Sequence, residues 1–154
     1  MYLCTVGRIL CIDYGRRRCG LAVTDMLRIV ANPTETVATA SLFAWIKSYI
    51  ARECVDRIVV GLPRDMRGRD SQSMTYIKPA VARLRKEVSP MGIDVVMFDE
   101  RFTSVLAHKA MLDGGVRKSD RRDRAAVDRI AAAVILNDYL QSMQYQHDEK
   151  NGTY

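Results

Sequence analysis

The run Ile9-Leu10-Cys11-Ile12-Asp13-Tyr14-Gly15, followed at once by Cys19-Gly20-Leu21-Ala22-Val23, constrains this chain more than any other stretch. It reads as an apolar strand that ends on a carboxylate, a short turn, and a second apolar strand. A buried strand has little use for Asp at its end beyond capping a turn. A carboxylate on a rigid strand edge, with glycine leaving room beside it, is also how a protein fixes a metal ion or a phosphate. Two further acidic stations follow. Asp99-Glu100 closes another apolar run, and Asp128 lies inside an Ala-rich helical stretch.

The hydrophobic period sets the elements around these stations. Residues 7–13 and 19–25 form paired strands joined by the turn from Asp13 to Arg18. A third strand covers 28–37 and is broken at Asn32-Pro33, because proline cannot sit in a central ladder. Over 41–54 the period changes: Leu42, Trp45, Ile46, Tyr49 and Ile50 recur at helical spacing, with Ser41 as the N-cap. Ile58 to Val60 is a continuous apolar run, as expected of a strand buried on both faces. A polar, Arg-rich loop at 64–70 leads to a helix over 71–88, in which Pro79 marks a kink. Ile93 to Phe98 is another buried strand. Thr103 or Ser104 caps a third helix that Gly114-Gly115 stops, 114–124 is a charged loop, and a last helix runs from 125 to 143.

The order is three strands, helix, strand, helix, strand, helices. It predicts one α/β domain over 1–143, a mixed sheet of a three-strand meander plus parallel strands flanked by helices, with a polar, frayed tail over 144–154. Ligands of such sheets lie beyond the carboxyl ends of the strands. Asp13, Gly61-Pro63 and Asp99-Glu100 all stand there.

Charge narrows the partner. The 154 residues carry 24 Lys and Arg against 18 Asp and Glu, a net charge of +6. The basic residues cluster as Arg16-Arg17-Arg18, as Arg64, Arg67 and Arg69, and as Arg117, Lys118, Arg121, Arg122 and Arg124. Nucleic acid is the commonest acidic partner of such a surface. Aromatic residues do not interleave with the clusters, so contact with the sugar-phosphate backbone is expected rather than base stacking. The four cysteines make no C-x-x-C pair, so zinc is disfavoured, and Cys11 and Cys19 read as small buried hydrophobes. No apolar run approaches the ~20 residues that span a bilayer. With no signal segment at the N-terminus, a reducing, cytoplasmic setting is the expectation.

Each carboxylate has an ordinary explanation when taken alone. Asp13 could form a turn, Asp99 could cap a helix, Glu100 could pair with Arg101, and Asp128 could favour a helix dipole. Asp128, however, shares its helix face with Ala131, Ala132 and Ile135, and a carboxylate among small apolar groups is costly unless it meets a cation. Carboxylates converging from separate elements are what Mg²⁺ or Mn²⁺ requires. His108 and His147 have no partner at ligand spacing.

These residues resemble a known family. Ile12-Asp13-Tyr14-Gly15 through Gly20-Leu21-Ala22-Val23, then Val59-Val60-Gly61-Leu62-Pro63 with Gly68, then Asp99-Glu100-Arg101-Phe102-Thr103-Ser104, and last Val127-Asp128 with Ala131-Ala132, occur in the order of the YqgF family, also called RuvX-like Holliday junction resolvases. The resemblance implies a ribonuclease H-like fold and a Mg²⁺- or Mn²⁺-dependent nuclease. It implies processing of the 5′ end of pre-16S ribosomal RNA, with Holliday junction resolution on branched DNA as the older alternative. The acidic set it implies is Asp13, Glu100 and Asp128, with Asp99 adjacent. Arg16 and Arg101 are expected to steady the phosphate, and Arg117, Lys118, Arg121 and Arg122 to close over the nucleic acid. One departure is Arg129, where the family commonly has a small residue. A binding module without hydrolysis is a competing reading. An actin-like phosphotransferase is another; it needs two domains enclosing the nucleotide, for which 154 residues are expected to be too short, and the sequence shows no second phosphate loop. The protein is expected to be a monomer or a homodimer, the latter required of a symmetric resolvase.

Overall fold

The computed structural model describes residues 7–62, 74–99 and 124–151. Strands β1 (Arg8–Tyr14), β2 (Arg18–Thr24), β3 (Ala31–Ala38), β4 (Val55–Leu62) and β5 (Asp94–Asp99) form a single sheet in the order β3-β2-β1-β4-β5. The first three pair antiparallel, and β1, β4 and β5 pair parallel. This is the mixed sheet that the sequence predicts. Helices α1 (Leu42–Arg52), α2 (Met74–Val88) and α3 (Arg124–Asn151), with 3₁₀ turns at Thr39–Ser41 and Ser89–Met91, complete the described elements.

Alternation along the strands sorts the core into two layers. Leu10, Ile12, Leu21, Val23, Ile58, Val60 and Val95 pack with Leu42, Ile46 and Tyr49 of α1 and with Ile77, Val81, Leu84 and Val88 of α2. On the opposite face Ile9, Cys11, Ala22 and Val59 pack with Ala132, Ile135, Leu136 and Tyr139 of α3. Coverage on both sides explains why the central strands are apolar without interruption. In α3, Ala132 through Leu136 are all buried, so this helix is enclosed on more than its sheet-facing side. Tyr139 ties it down further. Its ring meets Phe98 edge-on at 5.6 Å, and its hydroxyl accepts a 2.7 Å hydrogen bond from Arg57 Nη1.

Several expectations need correction. β3 is not broken at Asn32-Pro33. It runs unbroken from Ala31 to Ala38, with Pro33 opposite Ala22. The register shifts between Leu21 and Ala22, and β3 stands at the end of the strand order. A bulge on an edge strand is where a missing N–H does the least harm. Ser41 makes no side-chain cap on α1, because a 3₁₀ turn at Thr39–Ser41 leads into the helix instead. The last helix is bounded at Asn151 rather than 143. Its polar end contains no Gly or Pro before Gly152, so the backbone has no reason to leave the helix sooner. Cys11 and Cys19 are buried as expected. The predicted loop at 64–70, residues 114–123 of the predicted loop at 114–124, and the predicted helix from 103 lie outside the described residues; Arg124 opens α3.

Leu136 is completely buried between α3 and the sheet. Leu136→Ala should therefore cost about 2–5 kcal/mol of stability, the range for truncating a core leucine. Urea denaturation followed by circular dichroism measures this, and a loss below about 1 kcal/mol would show that α3 is not part of the cooperative core.

Candidate active site

Asp13 lies near the end of β1, and strand alternation puts it on the α3 side with Ile9 and Cys11. Its ladder partner on β2 is Gly20. A Cβ at Gly20 would overlap the carbonyl group of Asp128 and would press on the backbone N of Arg129 at 2.9 Å. Only glycine allows the α3 backbone to lie directly on the sheet at this point. Asp128 stands one helical turn before Ala132, which is fully buried against the sheet. The Asp13–Gly20 pair and the helix seated on Gly20 thus carry the two carboxylates to one place, although 115 positions separate them in sequence (128 minus 13).

The third member is Arg18. It shares the α3-facing register of β2 with Gly20 and Ala22, and its Nε donates to Oδ2 of Asp128. The turn that carries it is pinned. Thr39 Oγ1 donates to the Gly15 carbonyl at 2.7 Å, and Thr39 N donates to the Arg17 carbonyl at 2.9 Å. A Cβ at Gly15 would overlap the Arg18 carbonyl, so the turn is as tight as glycine allows. Behind it the Cys19 thiol lies 3.5 Å from Thr39 Oγ1. Its pKa is raised, chiefly by burial, which keeps it a thiol.

The two carboxylates are not equivalent. Asp128 has a cationic partner. Asp13 is largely buried and forms no hydrogen bond or ion pair among the described residues. Burial, and then the charge of Asp128, push the Asp13 carboxyl from an ordinary 3.8 up to about 6. A desolvated carboxylate held beside a second one is relieved by a proton or by a cation. Two oxygen donors on rigid elements suit a hard divalent ion such as Mg²⁺ or Mn²⁺. Among the described residues no third His, Cys, Asp or Glu joins them. Glu100, Arg101, Arg117, Lys118, Arg121 and Arg122 lie outside the described residues, and Asp99 is the last residue of β5. Arg16, expected at the phosphate, is exposed, and Arg129 is half-buried. Sequence reading passed over Arg18 as one of three adjacent arginines. The signal was its two-residue spacing from Gly20, which places both on one face of β2.

A mixed five-stranded sheet, with a carboxylate at the end of its central strand and another on a helix laid across it, defines the ribonuclease H-like class. Residues 7–142 match the family described as RuvX, Holliday junction resolvase, and the chain belongs to that family. It is 50% identical over 140 residues to a protein of Phocaeicola vulgatus, covering 91% of this chain and 99% of that one. It is 47% identical over 141 residues to a protein of Parabacteroides distasonis, covering 92% and 99%. A protein of Flavobacterium johnsoniae is 39% identical over 138 residues, covering 90% and 99%. All three are named "Putative pre-16S rRNA nuclease".

Two outcomes follow from this geometry. Gly20→Ala should lift α3 from β2 and cost about 1–3 kcal/mol, the usual penalty of overpacking. Differential scanning calorimetry reads the change, and an unshifted midpoint would mean that the helix does not rest on Gly20. The second concerns pH. The folded Asp13 carboxyl holds its proton more tightly than the unfolded one, so stability falls as pH rises from about 4 to about 6. The loss amounts to no more than about 3 kcal/mol at ~1.4 kcal/mol per pKa unit. Asp13→Asn should remove it, making the variant more stable than the wild type at pH 7.5 in EDTA but not at pH 4. Parallel urea titrations at the two pH values check this.

Proposed function

We propose that this protein is a divalent-cation-dependent nuclease that hydrolyses phosphodiester bonds, with 5′-end processing of pre-16S ribosomal RNA as its role. The observation that carries the reading is the largely buried Asp13, without a partner among the described residues, beside Asp128, a pair of carboxylates that a cation would complete. The ribosomal role rests on the names of the relatives. Glu100 is the third acid of the proposal.

A bound Mg²⁺ or Mn²⁺ would supply Lewis acidity toward the phosphate and the attacking water. The chain's own residues supply the rest. Asp13, Glu100 and Asp128 would hold the cation through oxygen. Arg16 and Arg101 steady the phosphate, and Arg117, Lys118, Arg121 and Arg122 neutralise the nucleic-acid backbone. Ribosomal RNA as substrate fits a cytoplasmic protein, and among the described residues no helix is long and apolar enough to cross a membrane. The family description favours a second reading, a resolvase of branched DNA, which would work as a two-fold dimer.

The experiment pairs wild type with Asp13→Ala on pre-16S RNA fragments and on four-way DNA junctions, with Mg²⁺ or Mn²⁺. RNA cleavage should occur with the wild type and fall at least about a hundredfold in the variant, the order of loss for removing one key electrostatic group. Binding should be largely retained. Paired symmetric cuts in the junction would replace the ribosomal reading with the resolvase. Binding without cleavage of either substrate would leave a binding module.

A further inference from the structure

We infer that Arg18 is a built-in counter-cation of the candidate metal site. It competes with the divalent ion for Asp128 in the substrate-free protein, and once displaced it offers its guanidinium to a phosphate of the nucleic acid. The inference rests on the cation-site reading above and extends it to a residue with no role there.

Three observations carry it. First, the negative charge at this point is arranged so that one acid is satisfied and the other is not. Asp128 accepts from Arg18, while Asp13 has no partner among the described residues. A divalent cation drawn to Asp13 would also approach Asp128 and would meet the guanidinium already there. Like charges at such range repel, so the two cations cannot share the carboxylate at full strength. Second, the pair is built to be given up. The side chains are 40% exposed for Arg18 and 26% for Asp128, and solvent-screened pairs of this kind hold weakly. Third, what leaves Asp128 does not leave the site. The backbone of Arg18 is fixed by the Gly15–Thr39 turn, so only the side chain swings. Its contact with Asp128 uses Nε, and no further hydrogen bond of the guanidinium is formed among the described residues. The two Nη groups are the fork that grips a phosphate in bidentate fashion. Arg18 is thus a positioning residue in the resting protein and a substrate contact in the complex.

The roles predict opposite effects of one substitution, which a merely structural bridge would not produce. Mn²⁺ is titrated by calorimetry into the metal-free full chain as wild type, Arg18→Gln and Arg18→Lys. A fluorescein-labelled RNA duplex is titrated by anisotropy in Ca²⁺. Arg18→Gln should bind Mn²⁺ about two- to five-fold more tightly, the worth of a part-exposed ion pair. It should bind the duplex more weakly by a similar factor. Arg18→Lys keeps the charge without the fork, so it should hold the Mn²⁺ affinity within about twofold of wild type and still weaken duplex binding. This variant decides the matter if the Gln protein does not fold. Equal or weaker Mn²⁺ binding by Arg18→Gln, or unchanged duplex affinity in either variant, overturns the inference while leaving the cation site standing. No Mn²⁺ binding by wild type and Arg18→Gln alike overturns the cation-site reading itself, and this inference with it.

Discussion

The close approach of α3 to β2 at Gly20 is the contact on which the candidate site depends. Without a side chain there, the backbone of Asp128 rests on the sheet opposite Asp13. Burial then drives the electrostatics. The same seating that fixes the spacing of the two carboxylates takes Asp13 out of water, and it is loss of water, ahead of the neighbouring charge, that raises its pKa. Packing and charge are therefore one constraint seen twice. A looser helix would give a better solvated Asp13 and a poorer fit for the proposed cation.

The stability of the fold is arranged to support that unfavourable pair. The central strands are covered by α1 and α2 on one face and by α3 on the other, and most of their side chains are fully buried. α3 is anchored well away from Asp128 by Leu136 and by Tyr139, which reaches both Phe98 and Arg57. Burial over that length holds the N-terminal part of the helix against the repulsion between Asp13 and Asp128. Arg18 reduces the repulsion on the Asp128 side, through a pair exposed enough to be exchanged.

Much of this was legible in the sequence because period and punctuation agree. The apolar runs at Ile9–Ile12 and Ile58–Val60 mark two-sided strands, and the change of period at Leu42 marks α1. The errors came where a local rule met a tertiary exception. Pro33 argues against a strand only for a central position, and strand order is not readable from one chain. Ser41 is a good N-cap by type, yet the chain enters α1 through a 3₁₀ turn. Asp13 and Asp128 could be named from their unusual settings. The role of Arg18 could not, because three adjacent arginines look alike until the ladder shows which one shares a face with Gly20.

The long separation between Asp13 and Asp128 along the chain has a consequence for biosynthesis. A polypeptide made from its N-terminus completes β1 and β2 early, but α3 comes last among the described elements. Until that helix emerges and docks, Asp13 is a lone acid at the end of an uncovered strand, and the paired carboxylates do not exist. A nascent chain is thus unable to assemble the pair while it is still being translated through this region. For a protein proposed to cut RNA, that order keeps the unfinished molecule harmless to the transcripts and ribosomes around it.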